Sequence, residues 1–252
     1  MKAERTMTYF ISDLHIGASY IPDSHAHQRM IADWLRSIAP TAKTLYLLGD
    51  ILDFWYEYRT VVPRGYTRFF GALADLADRG VEIIWFKGNH DIWIFDYLPK
   101  EIGLKVVDGL LDKTIDGHRF VMEHGDGVGE PRRSYRLLRA LFRNRFAQWL
   151  YAGIHPRWTV GFAHGWSHHS RKHGQQSTST QLNDSDPLVR FALDYMDRNG
   201  HVDFFIFGHR HIMTEQTIAS NTKLILLGDG FNHFSYGVWD GSKFSLKSFK
   251  SD

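Results

Sequence analysis

The chain has 252 residues, of which 43% are hydrophobic and 23% are charged, and its formal net charge is +2. This length favours one domain with a large core over two independent domains, and the composition is typical of a globular chain. The absence of cysteine excludes disulfides, thiolate metal ligands and cysteine nucleophiles. No apolar run approaches the roughly 18 residues of a membrane span, and the N-terminal segment lacks the apolar core of a signal peptide. We therefore predict a cytoplasmic protein.

The first part of the chain alternates predicted strands with predicted helices. Strands are expected at residues 8–13, 44–48 and 82–86, and apolar residues recur at helical spacing in residues 24–39 and 68–79. This βαβαβ order predicts parallel strands that are covered by helices.

The sequence of the later part of the chain predicts a different arrangement of elements. Short β-like runs begin at Leu104 and include residues 118–123, and an arginine-rich helical region follows at roughly residues 132–173. A helix at residues 187–198 then leads to a strand at residues 203–207. Three closing strands are expected to pair in an antiparallel manner, at residues 224–227, 236–239 and 243–249.

Five predicted strands end in side chains that can bind a metal ion. In chain order, the endings read DLH at 13–15, GD at 49–50, GNHD at 88–91, HGD at 124–126 and GHRH at 208–211. Open α/β sheets place ligands at the carboxyl ends of their strands, where such side chains would meet. Each motif alone is as readily an ordinary turn, but five of them in one order favour a metal site.

Together, the five endings resemble the motifs of the calcineurin-like metallophosphoesterases, in their order and in the spacing within each motif. The resemblance covers residues 10–211. It implies an α/β fold with a four-layer α/β/β/α sandwich, built from a single domain at residues 1–252 with a helical cap inserted at about residues 131–175. It also implies two divalent metal ions, with manganese as the first choice and iron or zinc as alternatives.

The same resemblance implies a role for each residue of the motifs. His90 would act beside the phosphate, by stabilising negative charge or protonating the leaving group, and Asp91 would orient it. Asn89, His90 and His209 would also contact the substrate. Seven side chains would hold the two ions: Asp13, His15 and His211 the first, Asn89, His124 and His209 the second, and Asp50 both.

The segment from Pro131 to Asn183 contains nine basic residues and no acidic one, so its formal charge is +9 and the remaining 199 residues sum to −7. Leucine, phenylalanine and tryptophan recur in it at helical spacing. This combination is typical of a surface that lies on an anionic bilayer and admits acyl chains. The alternatives are a nucleic-acid-binding patch and a plain charged helical face. The pronounced apolar half favours lipid over nucleic acid.

A helical insertion placed between HGD and GHRH resembles that of the UDP-2,3-diacylglucosamine pyrophosphatase family of lipid A synthesis. The resemblance implies hydrolysis of a nucleotide-linked lipid to UMP and 2,3-diacylglucosamine 1-phosphate, by a protein peripherally bound to the inner membrane. Ser170, Arg171 and Lys172 of the cap are candidate substrate contacts. His90 departs from this family, whose better-known members carry arginine there.

Two other functions stay open at the level of the sequence. One is a metallophosphoesterase that acts on a soluble nucleotide, a phosphodiester or a phosphoprotein. The other is a scaffold that keeps the fold without catalysis, although a scaffold has no need of seven metal ligands.

Other histidines and acids are expected to lie outside the metal site. We predict that His25 and His27 are surface residues and that Asp53 supports the metal loop without binding metal. For Asp229 and His233, in the late GDGFNH stretch, we predict a supporting or purely structural role.

Overall fold

The computed structural model describes residues 5–129, 133–155 and 182–250, and the elements named here belong to those residues. The strands are β1 Met7–Ile11, β2 Ala42–Leu47, β3 Glu82–Phe86, β4 Lys105–Val107, β5 Leu111–Ile115, β6 His118–Glu123, β7 Phe204–Phe207, β8 Met213–Ala219, β9 Thr222–Leu227, β10 Ser235–Trp239 and β11 Phe244–Ser248. The helices are α1 Ser24–Ile38, α2 Thr67–Asp78, α3 Tyr97–Ile102, α4 Arg133–Arg143, α5 Arg145–Ala152 and α6 Pro187–Asn199.

The strands form two sheets. The first has the order β11-β10-β1-β2-β3-β4 and the second the order β5-β6-β7-β9-β8. Strands β1 to β4 are parallel, as the βαβαβ pattern predicts. The antiparallel pairing expected at the end of the chain is confirmed for β10 and β11, but β9 lies in the other sheet, parallel to β7. Its antiparallel neighbour is β8, a strand that the sequence did not predict.

Apolar side chains separate the fold into four layers. Helices α1 and α2 cover the outer face of the first sheet through a cluster that includes Ile31 and Leu35. Alternation along β7 places Phe204 in the cluster between the sheets and Phe205 in the cluster beneath α6. The predicted four-layer α/β/β/α sandwich is therefore confirmed.

Hydrogen bonds from backbone amides connect the loops at the carboxyl ends of the parallel strands, within and between the two sheets. The amide of Asp13 donates to the carbonyl of Gly49 at 3.1 Å, within the first sheet. The amide of His209, just beyond β7, donates to Asp13 Oδ2 at 2.8 Å and so connects the second sheet to the first. This shared edge carries the residues of the five motifs.

Helices α4 and α5, called here the cap helices, follow β6 and form the described part of the predicted helical region. They have no buried side chain, and two of their contacts with the body are hydrogen bonds to their own backbone carbonyls. Trp93 Nε1 donates to the carbonyl of Phe142 at 2.9 Å, and the Tyr56 hydroxyl donates to the carbonyl of Gln148 at 2.7 Å. The candidate substrate contacts Ser170, Arg171 and Lys172 lie outside the described residues.

The described helices are also informative for membrane topology. None of them, within the residues covered by the structure, has both the length and the apolar character needed to cross a bilayer.

One surface prediction is wrong. His25 is exposed, as expected, but His27 is buried and its Nε2 pairs with the carbonyl of Gly230 at 2.8 Å. Its place on the inner face of α1 brings it against the late GDG loop, a contact that local sequence does not reveal.

Candidate metal centre

The loops of the metal motifs hold their side chains with unusual backbone geometry. Eight non-glycine residues of the described chain have a positive φ. Five of them are predicted ligands, with φ between 44° and 66°: Asp13, His15, Asp50, His209 and His211. Because this conformation costs roughly 1–2 kcal/mol for each such residue, the surrounding structure must hold these positions firmly. Such strain is concentrated at functional sites.

Asp13, His15 and His211 form one group whose potential ligand atoms all lie within 4.8 Å of one another. Asp13 Oδ1 is 3.4 Å from His211 Nε2 and 3.8 Å from His15 Nε2. This oxygen is buried, and no residue of the described chain donates a hydrogen bond to it. A buried carboxylate oxygen without a donor is costly, so a cation at this position fits the group.

Asp50, His124 and His209 form a second group within the same 4.8 Å limit. His124 Nδ1 pairs with the carbonyl of Leu48 at 2.8 Å, and because a carbonyl only accepts, Nδ1 carries the proton. The lone pair of the neutral ring is then on Nε2, which lies 3.3 Å from Asp50 Oδ2 and 3.3 Å from Asn89 Oδ1. Acceptor atoms that face one another this closely fit a site for a cation.

Asp50 lies between the two groups. Its Oδ2 atom is 3.3 Å from His124 Nε2 and 3.8 Å from His15 Nε2, while its Oδ1 atom accepts from the amide of His90 at 2.8 Å. One carboxylate oxygen is therefore fixed by the backbone and the other faces both sets of imidazoles. This placement suits the predicted bridging role, which stays a prediction.

Burial and neighbouring charges shift the pKa values of three residues in the two groups. Burial opposes ionisation of Asp13, but the imidazoles of His15 and His211 outweigh it and lower the pKa of Asp13 to about 2. Burial also disfavours the charged form of His124, yet the Asp50 carboxylate raises the pKa of His124 well above its usual value. At His209, burial and the neighbouring His124 imidazole lower the pKa, which favours the neutral form that binds metal.

Two glycines allow the ligand loops to approach one another. A Cβ atom on Gly88 would lie 2.2 Å from Asp50 Oδ1, and one on Gly208 would lie 2.6 Å from Asp13 Oδ2. These contacts are too short for any side chain, so glycine is required beside each carboxylate. The glycines in GNHD and GHRH thus serve close packing of the loops.

Asp91 has contacts that differ from its predicted one with His90. Its Oδ2 accepts from the amide of Ile51 at 2.9 Å and from Trp85 Nε1 at 3.1 Å, and its Oδ1 accepts from the amide of Gly88 at 2.8 Å. These bonds fix the loop that carries Asp50. Any effect of Asp91 on the imidazole of His90 would therefore pass through the backbone of the motif.

Asp53 makes the contact with the His90 imidazole that was predicted for Asp91. Its carbonyl pairs with His90 Nδ1 at 2.9 Å, and its Oδ1 atom lies 3.7 Å from that nitrogen and 3.5 Å from His15 Nδ1. Asp53 therefore touches the far side of both imidazoles. Its supporting role stays a prediction, because Asp53 also forms a group of potential metal ligands with His15 and His90.

Asp229 closes the opposite side of the site. The carboxylate is fully buried and accepts from the amides of Phe231, Asn232 and His233, while its Oδ2 atom lies 3.8 Å from His211 Nδ1. The supporting role predicted for Asp229 agrees with this position behind His211.

Comparison with known proteins gives the family of this chain. A model of the calcineurin-like phosphoesterase family matches residues 7–213. The chain belongs to this family. As one of its members, the protein is a metal-dependent phosphoesterase, and the two His/Asp groups described above are its candidate metal sites. A third group of potential ligands, His15, Asp53 and His90, shares His15 with the first.

The chain is also similar to individual proteins. A UDP-2,3-diacylglucosamine hydrolase of Porphyromonas gingivalis is 42% identical over 97% of this chain and 98% of its own. The protein of the same name from Edwardsiella ictaluri is 28% identical over 81% of this chain and 75% of its own. A dimetal phosphatase structure from Danio rerio is 14% identical, with a TM-score of 0.47, over 98% of this chain and 100% of that one.

A cavity of about 600 Å³ joins the metal centre of this phosphoesterase to the cap helices. Asn89 and His90 line its inner end, beside the ligand groups. Its walls toward the cap are largely apolar and aromatic, and they include Trp93, Leu138, Leu141, Phe142, Leu150 and Tyr151. The sequence analysis did not single out Trp93 as a residue of this cavity.

Proposed function

We propose that the protein hydrolyses the pyrophosphate of UDP-2,3-diacylglucosamine to UMP and 2,3-diacylglucosamine 1-phosphate. The name that both relatives carry supports this substrate. The observation that carries the proposal is the cavity of about 600 Å³, which has Asn89 and His90 at one end and the apolar walls of the cap helices along its length. A phosphoesterase for small soluble esters has no use for such walls.

The cavity matches the two chemical halves of the proposed substrate. Its polar end, at the ligand groups, suits the pyrophosphate. The ring of Trp93 packs against the rings of Phe142 and Tyr151, with centroids 5.5 and 4.9 Å apart. The three rings offer an apolar surface to acyl chains. Burial of each methylene of such a chain contributes roughly 0.8 kcal/mol.

We propose that two divalent ions, manganese first, bind at the two His/Asp groups. Asp13, His15 and His211 would hold one ion, and Asp50 would reach both. Asn89, His124 and His209 would complete the other site. When bound, such a pair of ions activates water near neutral pH and offsets the charge of the phosphoryl oxygens.

His90 is proposed as the residue that acts on the reacting phosphate. Its Nδ1 donates to the carbonyl of Asp53, which orients the ring. Nε2 lies 3.9 Å from Asp50 Oδ2, at the inner end of the cavity. From there a protonated imidazole would stabilise developing negative charge or supply a proton to the leaving group.

We further propose that α5 contacts an anionic bilayer. Phe146 and Trp149 stack at 5.8 Å and are 66% and 68% exposed, and the exposed Arg145 lies on the same helix. Exposed aromatic rings beside arginine suit the headgroup region of a bilayer. On this proposal the enzyme works at the cytoplasmic face of the inner membrane, where the lipid product of its reaction would remain.

The domain organisation is proposed in the same terms. Residues 1–252 would form a single domain, with the cap inserted at about residues 131–175. The polar contacts of Trp93 and Tyr56 to the backbone of the cap helices support a cap that rests on the body.

The test is a comparison of two nucleotide sugars with the purified, manganese-loaded protein. Release of UMP from UDP-2,3-diacylglucosamine in detergent is compared with release from UDP-N-acetylglucosamine, which lacks the acyl chains. The proposal predicts a much higher kcat/KM for the diacylated substrate. Equal values, or cleavage of a simple phosphodiester alone, would instead identify an enzyme for soluble esters.

A further inference from the structure

The cap helix α4 makes one contact that reaches the metal-bearing loop directly. Arg139 Nε donates to Asp126 Oδ2 at 2.8 Å, and its Nη2 donates to Glu123 Oε1 at 3.2 Å and to Asp126 Oδ1 at 3.4 Å. Glu123 and Asp126 flank the candidate ligand His124. A single guanidinium thus joins the cap to the loop that presents this imidazole.

The burial of the three groups differs. The side chains of Glu123 and Asp126 are only 7% and 1% exposed, whereas that of Arg139 is 27% exposed. Two carboxylates this deeply buried need a cation beside them, because an unpaired buried charge is strongly unfavourable. Arg139 supplies that cation from an element that otherwise has no buried residue.

The loop is shaped to receive the guanidinium. A Cβ atom on Gly127 would lie 2.5 Å from Arg139 Cζ and 2.6 Å from its Nη1. The glycine therefore serves close approach by Arg139, since its backbone lies outside the left-handed region. The fit between this glycine and the guanidinium is independent of the hydrogen bonds.

An arginine near a phosphate site can bind the phosphate or can hold other parts of the protein in place. The guanidinium of Arg139 already pairs with the carboxylates of both Glu123 and Asp126, which reduces its attraction for a phosphate group. Arg139 therefore differs from a phosphate-binding arginine. Its contacts act on the position of α4 relative to the metal loop.

We propose that Arg139 is a positioning residue, which fixes α4 against the loop of His124 and so sets the width of the cavity between the cap and the metal centre. The part of this inference that concerns catalysis rests on the proposed function. The part that concerns the cap does not, because the position of α4 can be measured without substrate.

The first experiment follows hydrogen exchange of the amides of α4 by mass spectrometry in the full chain. Arg139→Met removes the guanidinium and approximately retains the length of the side chain. Arg139→Lys keeps the charge but loses the planar set of N–H donors that contacts both carboxylates. Arg136→Met is the matched control, because Arg136 is an exposed arginine of the same helix. We expect exchange in α4 to be about tenfold faster or more in Arg139→Met, intermediate in Arg139→Lys and unchanged in the control. Unchanged exchange in Arg139→Met overturns the proposal.

A second variant keeps the proposal testable if Arg139→Met does not fold. Gly127→Ala leaves every charge in place but pushes against the guanidinium, so α4 should again exchange faster. A Gly127→Ala protein with wild-type exchange in α4 counts against the proposed fit.

The kinetic experiment uses UDP-2,3-diacylglucosamine in detergent. Arg139→Met should raise KM by about tenfold and change kcat much less, and Arg139→Lys should recover part of the loss. A fall in kcat with unchanged KM would show that Arg139 acts on the metal loop and not on the cap. If no variant or wild-type protein cleaves this lipid, the proposed function fails, and the exchange data still decide the role of Arg139 in the cap.

Discussion

Phe142 offers a direct test of the cavity as a binding site for acyl chains. The side chain is half-buried, lines the cavity and packs edge-to-face on Trp93 with ring centroids 5.5 Å apart. Its carbonyl accepts from Trp93 Nε1, and this contact survives truncation of the side chain. The Phe142→Ala variant therefore removes apolar wall while the backbone attachment of the cap is retained.

The expected magnitude follows from the burial of the ring. Full burial of a phenylalanine side chain contributes about 1.5–3 kcal/mol, and a half-buried ring that contacts an acyl chain supplies a part of this, about 1–2 kcal/mol. The loss corresponds to a decrease of about 5- to 30-fold in kcat/KM for the diacylated substrate. A small phosphodiester that reaches only the metal centre should be cleaved at nearly the wild-type rate.

The assay compares kcat/KM for UDP-2,3-diacylglucosamine in detergent with kcat/KM for bis(p-nitrophenyl) phosphate. Leu137→Ala is the matched control, because Leu137 is on the same helix, is 73% exposed and does not line the cavity. The control should affect neither substrate. Equal losses of Phe142→Ala on both substrates would refute the reasoning, since the cap would then only support the fold.

Four further outcomes are expected. Asp50→Ala should lose both metal ions, measured by elemental analysis, and several orders of magnitude in activity; near-normal turnover with two ions bound would exclude a bridging role. His90→Ala should lower kcat by roughly 10²- to 10⁴-fold with metal content intact, and His90→Arg should retain much of the activity if charge matters more than proton transfer. Asp91→Asn should cost about 1–3 kcal/mol of stability in thermal unfolding, because at least one buried amide donor loses its acceptor; an unchanged melting temperature would contradict the contacts of this carboxylate. Replacement of Phe146 and Trp149 by serine should weaken sedimentation with anionic vesicles, as should added salt in the unmodified protein; binding that neither change affects would rule out α5 as the membrane contact.

The order of the metal motifs was predictable because each follows a strand whose own pattern is clear. The predicted bounds of β3 and β6 are confirmed, at Glu82–Phe86 and His118–Glu123. In each of the five strands, a glycine, aspartate or histidine follows within two residues of the apolar run. Parallel strands bring such ends to one edge within a sheet, but Asp13 and His211, 198 positions apart, follow strands of different sheets and meet because the two sheets pack together.

Elements that depend on distant contacts were not predictable. Helix α3 has only six residues, and its N-terminal amides are held by the buried carboxylate of Glu57, which accepts from Tyr97 and Leu98. Glu57 is 40 positions before Tyr97, so no local pattern reveals the cap of this helix. Strand β8 was missed because its alternating polar residues read as a loop beyond GHRH.

The different contacts of Asp91 and Asp53 were likewise not predictable from the sequence. Asp91 ends the GNHD motif and Asp53 follows the GD motif. Sequence spacing alone does not distinguish a carboxylate that accepts hydrogen bonds from backbone amides from one that contacts an imidazole. The structure assigns the first set of contacts to Asp91 and the second to Asp53. The ion pairs of Arg139 were concealed in the same way, since the arginine and its acids are 13 and 16 positions apart.

The measurement that tests the central claim most directly is identification of the products by ³¹P NMR after reaction of the manganese-loaded protein with UDP-2,3-diacylglucosamine. Hydrolysis of the pyrophosphate predicts two monoester signals, one from UMP and one from 2,3-diacylglucosamine 1-phosphate, with loss of both pyrophosphate signals. The reaction should stop on chelation and in Asp50→Ala. Formation of UDP, or an unchanged spectrum from a protein that cleaves simple phosphodiesters, would contradict the account.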